Sequence, residues 1–248
     1  MQTTSSTSLN FEQLDHESSN SKLPTHLRFL RVGDQSEVKS LCYNCFPVTY
    51  PDQWYEDIVQ DKKYFALAAC DTSNERIVAL IVANILPFVN CHREDQRILH
   101  REFTLTNTSV CYILVLGVVN EYRRQGLAGL LLDNLLQKLH SYESCKAIYL
   151  HVLHSNTHAI QFYQSKGFQC RLRLPYYYSI KGQFFDAFCF ARYIHGKPIF
   201  VVLATFLRSN SRWLSAIDLE RFSFQSVVVF NTNKSLSIMA KTAICSQF

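Results

Sequence analysis

No stretch of this chain is long and apolar enough to cross a bilayer. The longest apolar run near its end, residues 198–207 with one Thr, would span ~15 Å as a helix against a hydrocarbon core of ~30 Å. The first 25 residues also lack the apolar segment of a signal peptide. They hold ten Ser or Thr together with Glu12, Asp15 and Glu17, and read as a disordered segment. Nine cysteines are scattered, with one Cys42-x-x-Cys45 pair and no second pair at zinc spacing. Neither a metal site nor a disulfide framework is therefore expected, and reduced thiols in the cytosol fit best. No internal repeat is evident. Gly-x-Gly-x-x-Gly is missing, which excludes the dinucleotide fingerprint, and no Gly-Lys-Ser/Thr is present to build a Walker loop.

What is there fits one sizeable core: 248 residues, 48% of them hydrophobic, with a net charge of +5. Much of that excess sits in 193–248, where Lys197, Arg208, Arg212, Arg221, Lys234 and Lys241 face only Asp218 and Glu220. Charge alone does not separate a solvated tail from one drawn to an anionic membrane. The same tail carries Phe200, Val201, Val202, Leu203, Phe206, Leu207, Trp213, Leu214, Ile217 and Phe222. Basic and apolar residues together favour interfacial binding, and packing onto the core is the alternative. No nucleic-acid partner is expected.

Alternation over 26–32 predicts a first strand, and Val38, Leu41, Cys42 and Cys45 predict a helix over 34–45 behind a capping Asp34. A second helix starts around Pro51, with Pro inside its first turn, and runs to about Gln60. The β-rich runs 63–70 and 76–86 read as a hairpin. Residues 87–107, with Cys91-His92-Arg93-Glu94-Asp95 at their centre, read as an irregular insertion, functional or mobile. A buried strand over 110–119, a helix over 123–140, a buried strand over 145–153 and a helix over 155–166 closed by Gly167 follow. Two last β runs, 168–174 and 184–194, flank a linker at 175–182.

The sharpest motif is Arg123-Arg124-Gln125-Gly126-Leu127-Ala128-Gly129, placed after a strand and opening a helix. A helix start with small residues aims free N–H groups at a phosphate, and Arg123 and Arg124 add charge-assisted contacts. The same seven residues also suit a basic helix start packed through small side chains. His151 and Tyr149 share one face of their strand, as do Tyr112 and Leu114 on the preceding one. Alone, a strand histidine is more often a satisfied core residue than a base.

In order along the chain, Phe46-Pro47-Val48-Thr49-Tyr50-Pro51, Cys111-Tyr112-Ile113-Leu114, the Arg124 to Gly129 loop, Lys146 to Leu153, Ala159 to Tyr163 and Leu174 to Ile180 resemble one family. They are similar to the acetyl-CoA-dependent GNAT acetyltransferases, and among these to the Golgi-associated N-terminal acetyltransferases of the NatF type. The resemblance implies an α/β GNAT fold: a mixed, mostly antiparallel sheet splayed at a central parallel strand pair and flanked by helices. It covers a catalytic domain at 26–194 between the segment 1–25 and a membrane-associating tail at 195–248.

The resemblance further implies that Tyr112 and His151 are the catalytic pair, His151 removing the amine proton and Tyr112 assisting through its hydroxyl. Leu114, Val115 and Leu116 would pair with the pantetheine arm of acetyl-CoA through backbone. Arg123, Arg124, Gln125, Gly126, Leu127, Ala128 and Gly129 would hold the diphosphate, with Asn156, Tyr163, Gln164, Ser165 and Lys166 toward the rest of the cofactor. Phe46, Pro47, Val48, Thr49, Tyr50, Tyr177 and Tyr178 would wall the peptide slot, where Thr49 replaces an expected acidic residue. The implied reaction is acetylation of Met-starting N-termini, notably of membrane proteins. The expected location is peripheral on the cytosolic face of the Golgi membrane, with a cytoplasmic location as the alternative. No metal is expected. Lysine or histone acetylation and an inactive CoA-binding membrane scaffold are the competing functions.

Overall fold

A seven-stranded sheet organises the residues described by the computed structural model, 24–99 and 107–195. The tail beyond His195 and nearly all of the N-terminal segment lie outside the described residues. The first strand, β1 (Thr25–Phe29), pairs antiparallel with β2 (Tyr64–Asp71), which forms the expected hairpin with β3 (Ile77–Pro87). β3 is buried continuously from Ile77 to Ala83, the pattern of a strand covered on both faces. It pairs in turn with β4 (Ser109–Val118), and β4 runs parallel to β5 (Cys145–Leu153). β6 (Gln169–Ile180) and β7 (Gln183–Tyr193) finish the sheet in the order β1-β2-β3-β4-β5-β7-β6.

Helix α1 (Gln35–Cys45) buries Val38, Leu41, Cys42 and Cys45, the expected stripe. Asp34 precedes it but does not cap it. Its carboxylate instead accepts from the Arg28 guanidinium at 2.6 and 3.0 Å and from the Arg31 N–H at 2.6 Å. α2 (Asp52–Gln60) begins one residue after Pro51, which sits at the cap position rather than inside the first turn. α3 is Leu127–His140 and α4 is Thr157–Ser165. The end of α4 is closed by Gly167 N–H donating to Gln164 O and Phe168 N–H to Tyr163 O, with the Tyr163 and Phe168 rings 5.4 Å apart.

Three further expectations need correction. α3 starts at Leu127, not Arg123, because Arg124 (φ 62°) and Gly126 (φ 86°) are left-handed and break helical continuity before it. The stretch 175–182 is not a free linker: β6 continues to Ile180 and re-pairs with β7 at Tyr178 after an irregularity that follows Leu174. Pro175, which has no N–H to give a ladder, falls in that irregularity on an edge strand. Lys181 and Gly182, both at positive φ, make the two-residue turn between β6 and β7. Finally, the described part of 87–107 is not merely inserted. It folds into two short 3-10 turns, Phe88–Asn90 and Asp95–Arg97, which carry Asp95 into the interior.

Candidate active site

β4 and β5 are paired only as far as Tyr112 and Tyr149; beyond that point β4 continues on β3 and β5 on β7. The sheet therefore forks, leaving the β5-facing backbone of residues 113–118 without a strand partner among the described residues. Leu114 is the extra residue of a bulge against β3, opposite no β3 residue, while Val115 and Leu116 resume the pairing. A bulge of this kind locally disrupts the ladder. At the fork the rings of Tyr112 and Tyr149 stack 4.8 Å apart.

Two residues beyond Tyr149 on the same face lies His151, fully buried. Its Nε2 is 2.8 Å from Asp95 Oδ1, and Asp95 is only 1% exposed. An ionised carboxylate only accepts, so Nε2 carries the proton and Nδ1 presents its lone pair. The Tyr112 and Tyr177 hydroxyls lie 3.1 and 3.0 Å from Nδ1, whose single lone pair accepts from one of them at a time while the two phenols bond each other. Burial pushes both phenols well above their ordinary range, so they remain protonated donors. The arrangement is a relay: carboxylate, imidazole, then two hydroxyls at the mouth of the fork.

The second feature is a cavity of about 360 Å³ at the start of α3, lined by Arg123, Arg124, Gly126, Leu127, Ala128, Gly129 and Ser165. Val118, Tyr122, His158, Gln161 and Phe162 complete the lining. Leu127, Ala128 and Gly129 are the first-turn residues whose N–H groups lack helical acceptors. At Gly126, nothing lies within 4 Å of where a Cβ would project, so a ligand can close on the backbone. Arg123 spends its Nε on the Val118 carbonyl at 3.0 Å, which leaves Arg124 as the lining cation less committed to the fold.

Not every expected residue belongs to this cavity. Gln125 Nε2 donates to the Glu121 carbonyl, and Asn156 caps α4 by accepting from the Ala159 N–H. Tyr163 is a fully buried core residue, Lys166 pairs with Asp133 at 2.8 Å, and Gln164 does not line the cavity. His158, Gln161 and Phe162 were missed; they occupy successive turns of α4 and face the cavity, a spacing that the sequence did contain.

On the other side of the fork, a groove of about 490 Å³ is lined by Tyr43, Phe46, Pro47, Val48, Thr49, Ser179, Ile180 and Lys181. Tyr50 lies behind it, buried and stacked on Trp54 at 4.1 Å. The tyrosine triplet divides at the irregularity in β6, where Tyr176 has φ 53° and strand alternation breaks: Tyr176 is 74% exposed, Tyr177 reaches His151, and Tyr178 is packed in the core. Tyr178 is thus a structural residue rather than a wall of the slot. Asp95 is the functional candidate least visible in the sequence, since one of two adjacent acids in a polar segment carries no periodic signal.

With this geometry in place, comparison with known proteins is informative. Residues 36–168 match the Acetyltransferase (GNAT) family. The chain is 48% identical over 174 residues to N-alpha-acetyltransferase 60 of Xenopus tropicalis, covering 69% of this chain and 71% of that one. Among solved structures, it is similar to Arabidopsis thaliana NAA60 in complex with a bisubstrate analogue, with a TM-score of 0.63 and 27% identity over 70% of this chain and 100% of that one. The same Arabidopsis protein in complex with acetyl-CoA gives a TM-score of 0.64 at 26% identity, again covering 70% and 100%.

Proposed function

The chain belongs to the GNAT acetyltransferase family, and from that premise we propose that it transfers the acetyl group of acetyl-CoA to the α-amine of protein N-termini, with His151 as the base. The observation that carries this reading is the lone pair of His151 Nδ1, held by Asp95 at one end and turned toward the fork at the other. An ammonium is not a nucleophile, so an amine substrate must lose a proton before it attacks. Tyr112 and Tyr177 stand between Nδ1 and the fork, so the proton passes to Nδ1 through a hydroxyl or a water. The buried Asp95 carboxylate then balances the charge on the imidazolium.

The cofactor fits the residues present. The open approach at Gly126 and the acceptor-free N–H groups of Leu127, Ala128 and Gly129 suit a diphosphate, and Arg124 adds a cation. The unpaired edge of β4 past Tyr112 suits an extended pantetheine arm added like a strand. Bound there, acetyl-CoA supplies an activated thioester. The backbone at Leu114 and Val115 lies where an N–H can support the oxygen as it gains charge.

The groove at Phe46, Pro47, Val48 and Thr49 receives the first residues of the peptide, and the sequence composition of the tail supports a membrane location, which we propose is the cytosolic face of the Golgi. Substrates there would be the Met-starting N-termini of membrane proteins. Mass spectrometry of Met-Leu, Met-Lys and internal-lysine peptides incubated with acetyl-CoA and the purified protein tests the reaction. Acetylation at the α-amine is expected, reduced by about 10²- to 10⁴-fold in His151→Ala and markedly in Tyr112→Phe. Wild-type turnover in both variants, or acetylation of internal lysines alone, would overturn it.

A further inference from the structure

The Asp95–His151 pair has a third neighbour that acetyl transfer does not use. Cys189 of β7 is paired directly with His151 of β5, and directly opposed residues project to one face of a sheet with Cβ atoms ~4.5–5.5 Å apart. The 3-10 turn at Asp95–Arg97 lowers Asp95 onto that same face. One donor atom from each of Asp95, His151 and Cys189 lies within 4.8 Å of the other two, and all three residues are buried.

A second observation points to a ligand. Asp95 Oδ1 is occupied by His151, but Oδ2 is buried with no hydrogen-bond partner among the described residues. A buried carboxylate oxygen without a donor is costly, and a cation relieves that cost. The donor set is one oxygen, one nitrogen and one sulfur, which suits zinc-class ions and disfavours magnesium and calcium, which prefer oxygen alone. Ligand distances of about 2.0–2.3 Å place tetrahedral donors roughly 3.3–3.8 Å apart, so the site closes with a movement of about 1 Å. Entry is short, because Asp95 is flanked by the partly exposed Glu94 and the exposed Gln96.

We propose that Asp95, His151 and Cys189 bind a zinc-class divalent cation and that its occupancy inhibits the enzyme. The ion displaces the thiol proton of Cys189, which leaves to solvent, and takes the Nε2 position of His151, whose single proton moves to Nδ1 by exchange with solvent. A neutral imidazole bound through Nε2 carries its one proton on Nδ1. The lone pair facing Tyr112 and Tyr177 is then lost, and the base with it. Inhibition rests on the role proposed above for His151, whereas binding does not.

The test uses the full chain, stripped of metal by chelation and free of coenzyme A. Titration with Co²⁺ is expected to give a thiolate-to-cobalt charge-transfer band that saturates at one ion per chain. Cys189→Ser, close to isosteric, should lose that band and bind at least about tenfold more weakly, whereas Cys170→Ser, at an exposed thiol, should not. Zinc should inhibit acetylation reversibly, with the same tenfold loss of sensitivity in Cys189→Ser at unchanged basal turnover. Absence of the band, or equal zinc sensitivity in Cys189→Ser, overturns the site. A band abolished by Cys189→Ser without any zinc inhibition of the wild type keeps the site and instead sinks the base role of His151.

Discussion

At the scale of single residues, chemistry concentrates in the polarity of one imidazole. Asp95 fixes which nitrogen is protonated, and replacing it with Asn lets an amide N–H donate to Nε2 and move the proton to Nδ1. Asp95→Asn is therefore expected to lower kcat by about 10²- to 10⁴-fold while leaving KM for acetyl-CoA unchanged, because the cavity at α3 is untouched. A merely structural role predicts the opposite pattern, a fall in Tm with kcat per folded molecule retained. Since Oδ2 is buried without a partner among the described residues, removing the charge should not lower Tm. Steady-state kinetics together with a thermal melt separate the two. His151 and Tyr112 could be picked out of the sequence because strand alternation puts them on defined faces and the family motifs surround them. Asp95 could not, because its position depends on a 3-10 turn that no periodicity announces.

At the scale of elements, the regular pieces were legible and their ends were less so. β5 runs over Cys145–Leu153 as expected, because a short, mostly apolar run with Ile148, Tyr149 and Val152, bounded by polar turns, favours a strand over a helix. The start of α3 was misplaced because apolar spacing does not encode the sign of φ at Arg124 and Gly126. That same backbone argues a prediction. Gly126→Ala meets no neighbour but must hold a left-handed φ, at a cost of roughly 1–2 kcal/mol. If the loop relaxes, the N–H groups turn from the cavity, and KM for acetyl-CoA rises by about 5- to 30-fold with kcat nearly constant. An unchanged KM would show that the diphosphate is held elsewhere.

The junction of β1 and α1 supplies a second test at this scale. Burial opposes ionisation of Asp34, but the Arg28 guanidinium and the Arg31 N–H overcome it and hold the carboxyl below its ordinary value of 3.8. A carboxyl depressed in the folded state adds stability that is fully present above the unfolded value. That stability is lost as pH falls through the folded one. The difference in stability between the wild type and Asp34→Asn, followed by denaturant unfolding, should be constant near neutrality and shrink as pH drops below 3.8. A difference that persists at the lowest pH would assign the loss to packing rather than to ionisation.

At the scale of the molecule, both parts of the core and the whole fork lie within 24–99 and 107–195. The helix spans there offer no segment long and apolar enough to cross a membrane. The tail has the composition for attachment at a membrane surface: large apolar side chains interspersed with six basic and two acidic residues over 193–248. Near an anionic surface each Lys or Arg contributes about 1 kcal/mol, an attraction that salt screens, while the apolar side chains add a part that salt does not remove. A chain ending at His195 is accordingly expected to keep kcat/KM on soluble Met-starting peptides within about twofold of the full chain, a change of under ~0.5 kcal/mol. It should lose co-sedimentation with phosphatidylserine-containing vesicles, and the full chain should bind those vesicles more weakly as salt rises. Equal sedimentation of the two chains would place the membrane contact on the catalytic domain, and a collapse of kcat/KM in the shorter one would mean that the tail packs on the core instead.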